Sequence, residues 1–178
     1  MPVVALVSVE EYLATTFRPD CDYVDGQVLE RNVGKKRHSH TQTYAVAWFW
    51  NRKGQLKFEA FVEQRIQVAK GRFRIPDLLL VAMPEPDEEV FTQPPYLCLE
   101  VMSPDDTMSS MQDRLDDYLK FGVRNIWVID PWKRRAWTIT GAGWHAVLDG
   151  MLRTADGLIA LPVEEVLPER ESADRAPA

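Results

Sequence analysis

Two carboxylates set inside apolar strands constrain this chain more than any other feature. Asp77 stands near the head of the run Arg74-Ile75-Pro76-Asp77-Leu78-Leu79-Leu80-Val81, and Glu100 near the tail of Tyr96-Leu97-Cys98-Leu99-Glu100-Val101. A carboxylate buried in such a run is costly unless a metal or a cationic partner compensates its charge. Residues 82–95, between the two runs, are rich in Pro, Glu and Asp and read as a surface connection, so the strands are expected to pair antiparallel across a long loop. With the register centred on residues 88 and 89, Asp77 falls opposite Glu100. Directly opposed residues have Cβ atoms about 5 Å apart, where like charges repel. A divalent cation between them would remove the conflict.

The chain has 178 residues, 46% of them hydrophobic, which suits one well-packed domain and is short for two. Residues 1–167 are read as that domain and 168–178 as a disordered tail. There is no 18-residue apolar run, and Met1 to Glu10 lacks the basic start and apolar core of a secretory signal, so a cytoplasmic protein without a membrane partner is expected. Cys21 and Cys98 are far apart in sequence, and Cys98 lies in an apolar strand, which favours free thiols over a disulfide.

A net charge of -6 conceals strong segregation. Residues 31–74 hold eleven Lys and Arg against two acids, Glu59 and Glu63, a balance of +9. The remainder holds ten basic and twenty-five acidic residues, a balance of -15. A basic band beside an acidic region suits a polyanion approaching a metal-binding pocket; a merely solvated dipolar surface is the alternative.

Val9-Glu10-Glu11-Tyr12-Leu13 predicts a short amphipathic helix. Asp25-Gly26 between Cys21-Asp22-Tyr23-Val24 and Gln27-Val28-Leu29-Glu30 predicts a hairpin, because both turn positions need positive φ. Residues 39–51 predict a mostly buried helix opened by Ser39 and ended by Gly54. The alternation from Leu56 to Val62 and again over Arg65-Ile66-Gln67-Val68 is that of half-buried strands, and Lys70-Gly71 marks the turn into the Asp77 strand. Ser103-Pro104-Asp105-Asp106 reads as a cap for a helix with apolar positions Met108, Met111, Leu115, Tyr118 and Leu119, closed by Lys120 and Gly122. Asn125 to Asp130 is another buried strand, and Trp137-Thr138-Ile139 with Trp144-His145-Ala146-Val147 predicts a closing ribbon. This order predicts an α/β (α+β) domain, a mixed sheet with helices packed on it.

Two carboxylates at one strand edge are ligands suited to Mg²⁺ or Mn²⁺, since hard cations take oxygen and Mg²⁺ keeps several waters beside one or two carboxylates. A water activated in this way can attack phosphorus. A Lys or Arg would then offset charge growing on the transferring phosphate.

Ile75-Pro76-Asp77-Leu78, Leu99-Glu100-Val101-Met102-Ser103-Pro104, Asp117-Tyr118-Leu119-Lys120-Phe121-Gly122-Val123 and Ile126-Trp127-Val128-Ile129-Asp130-Pro131 together resemble the Uma-two family of nuclease-like bacterial proteins, in the restriction-endonuclease-like PD-(D/E)XK superfamily. The likeness runs from about Glu10 to about Pro168. It implies a restriction-endonuclease-like mixed central sheet flanked by helices, and an endonuclease that hydrolyses DNA with Mg²⁺ or Mn²⁺. It further implies Asp77 and Glu100 as catalytic metal ligands and Asp22, in place of a glutamate, as a further acidic ligand. The superfamily lysine two residues after the glutamate is Met102 here; the family pattern instead points to Arg114 in the following helix. Arginine stays protonated, so Arg114 can stabilise charge but cannot serve as a general base. His38 also falls on a family position, and Lys35, Lys36, Arg37, His38, Arg72 and Arg74 are the expected nucleic-acid contacts.

One site cuts one strand, so double-strand cleavage calls for a homodimer. The replacements at Met102 and Arg114 keep a second reading in play: a nuclease-like protein without turnover that binds nucleic acid or a protein partner. A structural homodimer built from Trp-rich surfaces is a third. Each site residue also has a plainer role: Glu100 salt-bridged to Arg114 or Arg74 without metal, Asp77 capping a turn, Arg114 an exposed helix residue paired with Asp117 or near Asp113, Asp22 stabilising its hairpin, and His38 a surface or helix-start residue.

Overall fold

In a computed structural model, residues 6–31 and 34–169 are described. The chain starts with α1 (Val9–Ala14), whose Ser8 side chain accepts from the Glu11 amide at 3.1 Å. The Asp25-Gly26 hairpin joins β1 (Cys21–Val24) to β2 (Gln27–Glu30), with φ of 50° and 93° at its two turn residues. Asp25 accepts the strain of that conformation and glycine is indifferent to it, as a two-residue turn of this hand demands.

Helix α2 (Lys36–Trp50) begins three residues before the predicted start, and Lys35 stands at its cap with no side-chain cap bond. The extra turn buries His38 against Asp77, a tertiary contact that no local signal carries. Gly54 does not end the helix; it lies inside a separate one-turn helix α3 (Lys53–Leu56), and Lys57, at φ 59°, makes the turn into β3 (Phe58–Val62).

The segment predicted as one strand around Asp77 is divided. β4 (Ile66–Ala69) and β5 (Arg72–Arg74) join the hairpin in a four-stranded sheet ordered β2-β1-β5-β4. After Ile75-Pro76-Asp77 the chain enters a six-stranded sheet as β6 (Leu78–Ala82). Pro76 has no N–H to extend a ladder, so the chain changes sheets there.

The six-stranded sheet is completed by β7 (Leu97–Val101), β8 (Asn125–Asp130), β9 (Arg135–Thr140) and β10 (Gly143–Ala146), in the order β10-β9-β8-β7-β6-β3. β7 and β8 run parallel, and α4 (Met108–Phe121) supplies the crossover such a pair requires. Thr107, rather than the Ser103 to Asp106 segment, caps α4, accepting from the Ser110 amide at 3.0 Å; Gly122, at φ 100°, closes it. Thr107→Ala should therefore cost about 1 kcal/mol in denaturant unfolding. A hairpin of β11 (Met151–Arg153) and β12 (Ala160–Pro162) and the 3₁₀ turn Val163–Glu165 were not anticipated. Three-residue strands are too short to show a period. Most of the predicted tail, from residue 170 onward, lies outside the described residues.

The pairing Leu78↔Leu99, Leu79↔Cys98 and Leu80↔Leu97 is the register expected from the sequence. Period-two alternation then sorts the side chains. Leu78, Leu80, Leu97, Leu99, Val101 and Trp127 pack under Ala45, Trp48 and Phe49 of α2. Leu79, Val81, Cys98, Ile126 and Val128 pack against Met111, Leu115 and Tyr118 of α4. Burial of both faces explains why these strands read as continuous apolar runs. Asp77 shares the parity of Leu79, and Glu100 that of Cys98, so both belong to the α4 face.

Candidate active site

The paired carboxylates meet where the α4 face of the large sheet adjoins the small sheet. Both are fully enclosed, Glu100 at 0% and Asp77 at 2% exposure, so each oxygen needs an identifiable partner. Asp77 Oδ2 accepts from the Val101 amide at 2.7 Å and lies 3.3 Å from His38 Nε2. Glu100 Oε1 accepts from the Tyr118 hydroxyl at 2.6 Å, and Oε2 accepts from Arg114 Nη1 at 3.1 Å. These donors come from β7, α2 and α4, so packing of the three elements orients both carboxylates. Asp77 Oδ1 faces inward and is paired with Arg31 Nη2; the same nitrogen is 3.9 Å from Glu100 Oε2. The two acids thus converge on one cation position, which a guanidinium holds.

The charges shift accordingly. Burial pushes Glu100 up, against the attraction of Arg114 and with repulsion from Asp77 adding to the rise, to about 7. Burial acts on Asp77 in the same sense, but Arg31 and then His38 outweigh it and hold it at about 2. For His38, burial opposes the charged form, yet its bond to Asp77 wins and raises it. The two acids titrate as a unit whose first proton goes to Glu100. The folded protein thus keeps a proton on Glu100 that the unfolded chain has lost above about pH 4.5, so stability falls as pH rises from there to about 7. Glu100→Gln should remove that slope in metal-free unfolding titrations, a difference on the order of 3 kcal/mol across the window.

The other expected site residues are placed as follows. Arg114 is buried rather than exposed and paired with Asp117: it lies beside Glu100, and its Nη2 is held by Asp106 at 3.2 Å, while Asp117 goes to Arg72 and Arg74. The plainer salt bridge between Glu100 and Arg114 is therefore present as well. Asp22 is not brought onto the inward oxygens: it accepts from the Ile75 amide at 3.1 Å and from Arg74 Nη1 at 3.0 Å. Arg74, in turn, is bound to Asp117 at 2.7 Å, and Arg72 bridges Asp25 and Asp117. Both arginines are committed to carboxylates that tie the small sheet to α4. Lys35 and Lys36 are exposed at the start of α2, and Lys35 pairs with Asp105 at 2.7 Å. Arg37 is half-buried there.

Arg31 and Tyr118 were not read from sequence as parts of the site. Arg31 was only one of eleven charges in the basic band. Tyr118 had a usable signal: it lies four residues after Arg114 on the buried helix face, and a buried tyrosine hydroxyl requires a partner. Among the described residues no group of three His, Cys, Asp or Glu could together hold a metal. Met102 occupies the position two residues after Glu100.

A mixed sheet whose antiparallel and parallel neighbours bring Asp77 and Glu100 together, with a helix behind them, is an α+β architecture. A crystal structure described as a putative nuclease belonging to DUF820, from Anabaena variabilis, shares this fold with a TM-score of 0.77, at 19% identity over 90% of this chain and 97% of that one. A cryo-EM structure of a DrdV–DNA complex matches over 60% of this chain and 9% of that one, at 18% identity and a TM-score of 0.41. No curated protein matches the sequence. The Uma2 family, described as putative restriction endonuclease, matches residues 9–166, and the chain belongs to that family.

Proposed function

We propose that this protein is a Mg²⁺- or Mn²⁺-dependent endonuclease that hydrolyses phosphodiester bonds in DNA. The observation that carries the reading is the convergence of Asp77 Oδ1 and Glu100 Oε2 on a single cation position. The donor set fits a hard divalent ion: two carboxylate oxygens, with the remaining ligands left to water and phosphate. Asp77 and Glu100 would hold it, and the ion would supply a more acidic water and a Lewis acid for the phosphoryl oxygen.

The chain's own residues support this chemistry. Val101 N–H and His38 fix the rotation of Asp77, while Tyr118 fixes that of Glu100, so the inward oxygens are set before any ion arrives. Arg114, anchored through Asp106, presents a permanent positive charge beside Glu100, where charge on a transferring phosphate would grow. Lys35, Lys36 and Arg37 at the start of α2 lie on the same helix turn as His38 and suit contact with the nucleic-acid backbone. Arg72 and Arg74 suit it less, being committed to Asp25, Asp22 and Asp117. Cutting both strands would call for two copies of the site, hence a homodimer.

A second reading, nucleic-acid binding without turnover, is favoured by Met102 in the lysine position and by the engagement of Arg114 with two carboxylates. Incubation of supercoiled plasmid with Mg²⁺ or Mn²⁺ separates the two. Nicking that is lost in Asp77→Asn and Glu100→Gln supports hydrolysis at this site. Salt-sensitive binding without nicking supports the second reading, and nicking that survives both substitutions removes the site.

A further inference from the structure

The cation position between Asp77 and Glu100 is not open: a side chain of the same protein fills it. Arg31 follows the last residue of β2 and reaches inward, and its side chain is 12% exposed. Of its guanidinium, Nη2 serves both carboxylates, whereas Nη1 is buried without a hydrogen-bond partner among the described residues. A structural arginine in so enclosed a place normally spends its fork on bidentate contacts, as Arg74 does with Asp22 and Asp117. Arg31 instead meets the site through one nitrogen, as a point charge would.

The surroundings leave it room to move. Arg31 is a wall between two cavities. One, of about 250 Å³, is also lined by His38, Gln42 and Asp77. The other, of about 270 Å³, is lined by Glu30 and Asp113, by Asp22 and Asp106 with their partners Arg74 and Arg114, and by Asp105, which pairs with Lys35. Of these, Glu30 and Asp113 are the carboxylates not already paired with Arg74, Arg114 or Lys35, and they face a guanidinium that leaves the first position. Charge balance gives a reason for it to leave. Arg31 and Arg114 already offset Asp77, Glu100 and Asp106 to within one charge, so a divalent ion added without displacement would turn the cluster net positive in an enclosed place.

Resting on the metal-dependent reading above, we propose that Arg31 is the affinity-setting residue of the site: an internal cation that a divalent metal must exchange with, so that its departure admits the metal between Asp77 and Glu100. Apparent affinity is then lowered by the fraction of molecules in which Arg31 holds the position.

The experiment uses the full chain with Mn²⁺ alone, measured by calorimetry and by metal-induced shifts in Tm. Arg31→Met keeps the apolar stem and removes the charge. It should bind Mn²⁺ about tenfold or more tightly than the wild type, with Arg31 held in the site in nine molecules of ten or more. Its metal-free Tm should be lower and its Mn²⁺-induced rise in Tm larger. Arg31→Lys, which retains a charge on a shorter reach, should lie between the two, and it stands in if the methionine variant folds only with metal. Equal or weaker Mn²⁺ binding by both variants overturns the exchange, whether or not plasmid is cut. No Mn²⁺ binding by wild type and variants alike overturns the metal reading and the exchange with it. Mn²⁺ binding that follows the expected order without cleavage sustains the exchange and removes only turnover.

Discussion

Arg74→Ala is expected to lower the free energy of unfolding by about 3–5 kcal/mol, because it strips the buried Asp22 of its cation and leaves the buried Asp117 with Arg72 alone. Arg74 is 4% exposed; Asp22 and Asp117, its partners, are 3% and 5% exposed. Its Nη1 serves Asp22 at 3.0 Å and its Nε serves Asp117 at 2.8 Å. Asp22 also holds the Ile75 amide, just before the chain leaves one sheet for the other. The three residues belong to β1, β5 and α4, so the loss falls on the joint between the small sheet and the crossover helix. Urea unfolding measures it, and Arg74→Met distinguishes the cause: a variant that removes the same charge from Asp22 and Asp117 but keeps the apolar stem should lose nearly as much. A loss under about 1 kcal/mol in both would mean that the trio is hydrated and contributes as surface pairs do.

Asp77→Asn and Glu100→Gln should each reduce metal-dependent plasmid cleavage by at least about a hundredfold, the scale on which removal of one charge-stabilising group acts. The two substitutions are nearly isosteric, so the fold should survive. Asp77→Asn keeps an acceptor for the Val101 amide but abolishes the charge opposite Arg31. Glu100→Gln removes a charge that burial already disfavours, and the folded protein should become less sensitive to pH rather than unstable. Arg114→Ala should lower cleavage to a similar degree while leaving Glu100 without its nearest cation, so its stability loss is expected to exceed that of Glu100→Gln. Unchanged cleavage in all three variants would locate the chemistry elsewhere.

Much of the architecture could be read before any coordinates. The Asp25-Gly26 turn, the alternation in β3 and the three-and-four spacing in α4 are local signals, and each produced its element. The register of β6 against β7 was legible because both runs are apolar, bounded and joined by a polar loop. Elements set by distant partners were harder. The first turn of α2 forms with no side-chain cap of its own, and His38 in it gains Asp77 as a partner; the strand around Asp77 breaks where Pro76 changes sheets.

For the site, the order of the two apolar runs and the assumed register about residues 88 and 89 led to the expectation that Asp77 and Glu100 face one another, and the pairing Leu78↔Leu99 has that register. The resemblance to the family pattern pointed to Arg114, and helical spacing from Met111 and Tyr118 was consistent with a place beside the buried face. Only the tertiary structure decided which cation stands between the acids and which arginines are spent elsewhere. Arg31 is 46 residues from Asp77 in sequence, and Arg74 is 43 from Asp117. Nothing in a band of eleven basic residues distinguishes Arg31, which turns in between the acids, or Arg74, which is buried on Asp22 and Asp117. That choice follows from the packing of the small sheet against α4, where burial converts a surface charge into the partner of a carboxylate.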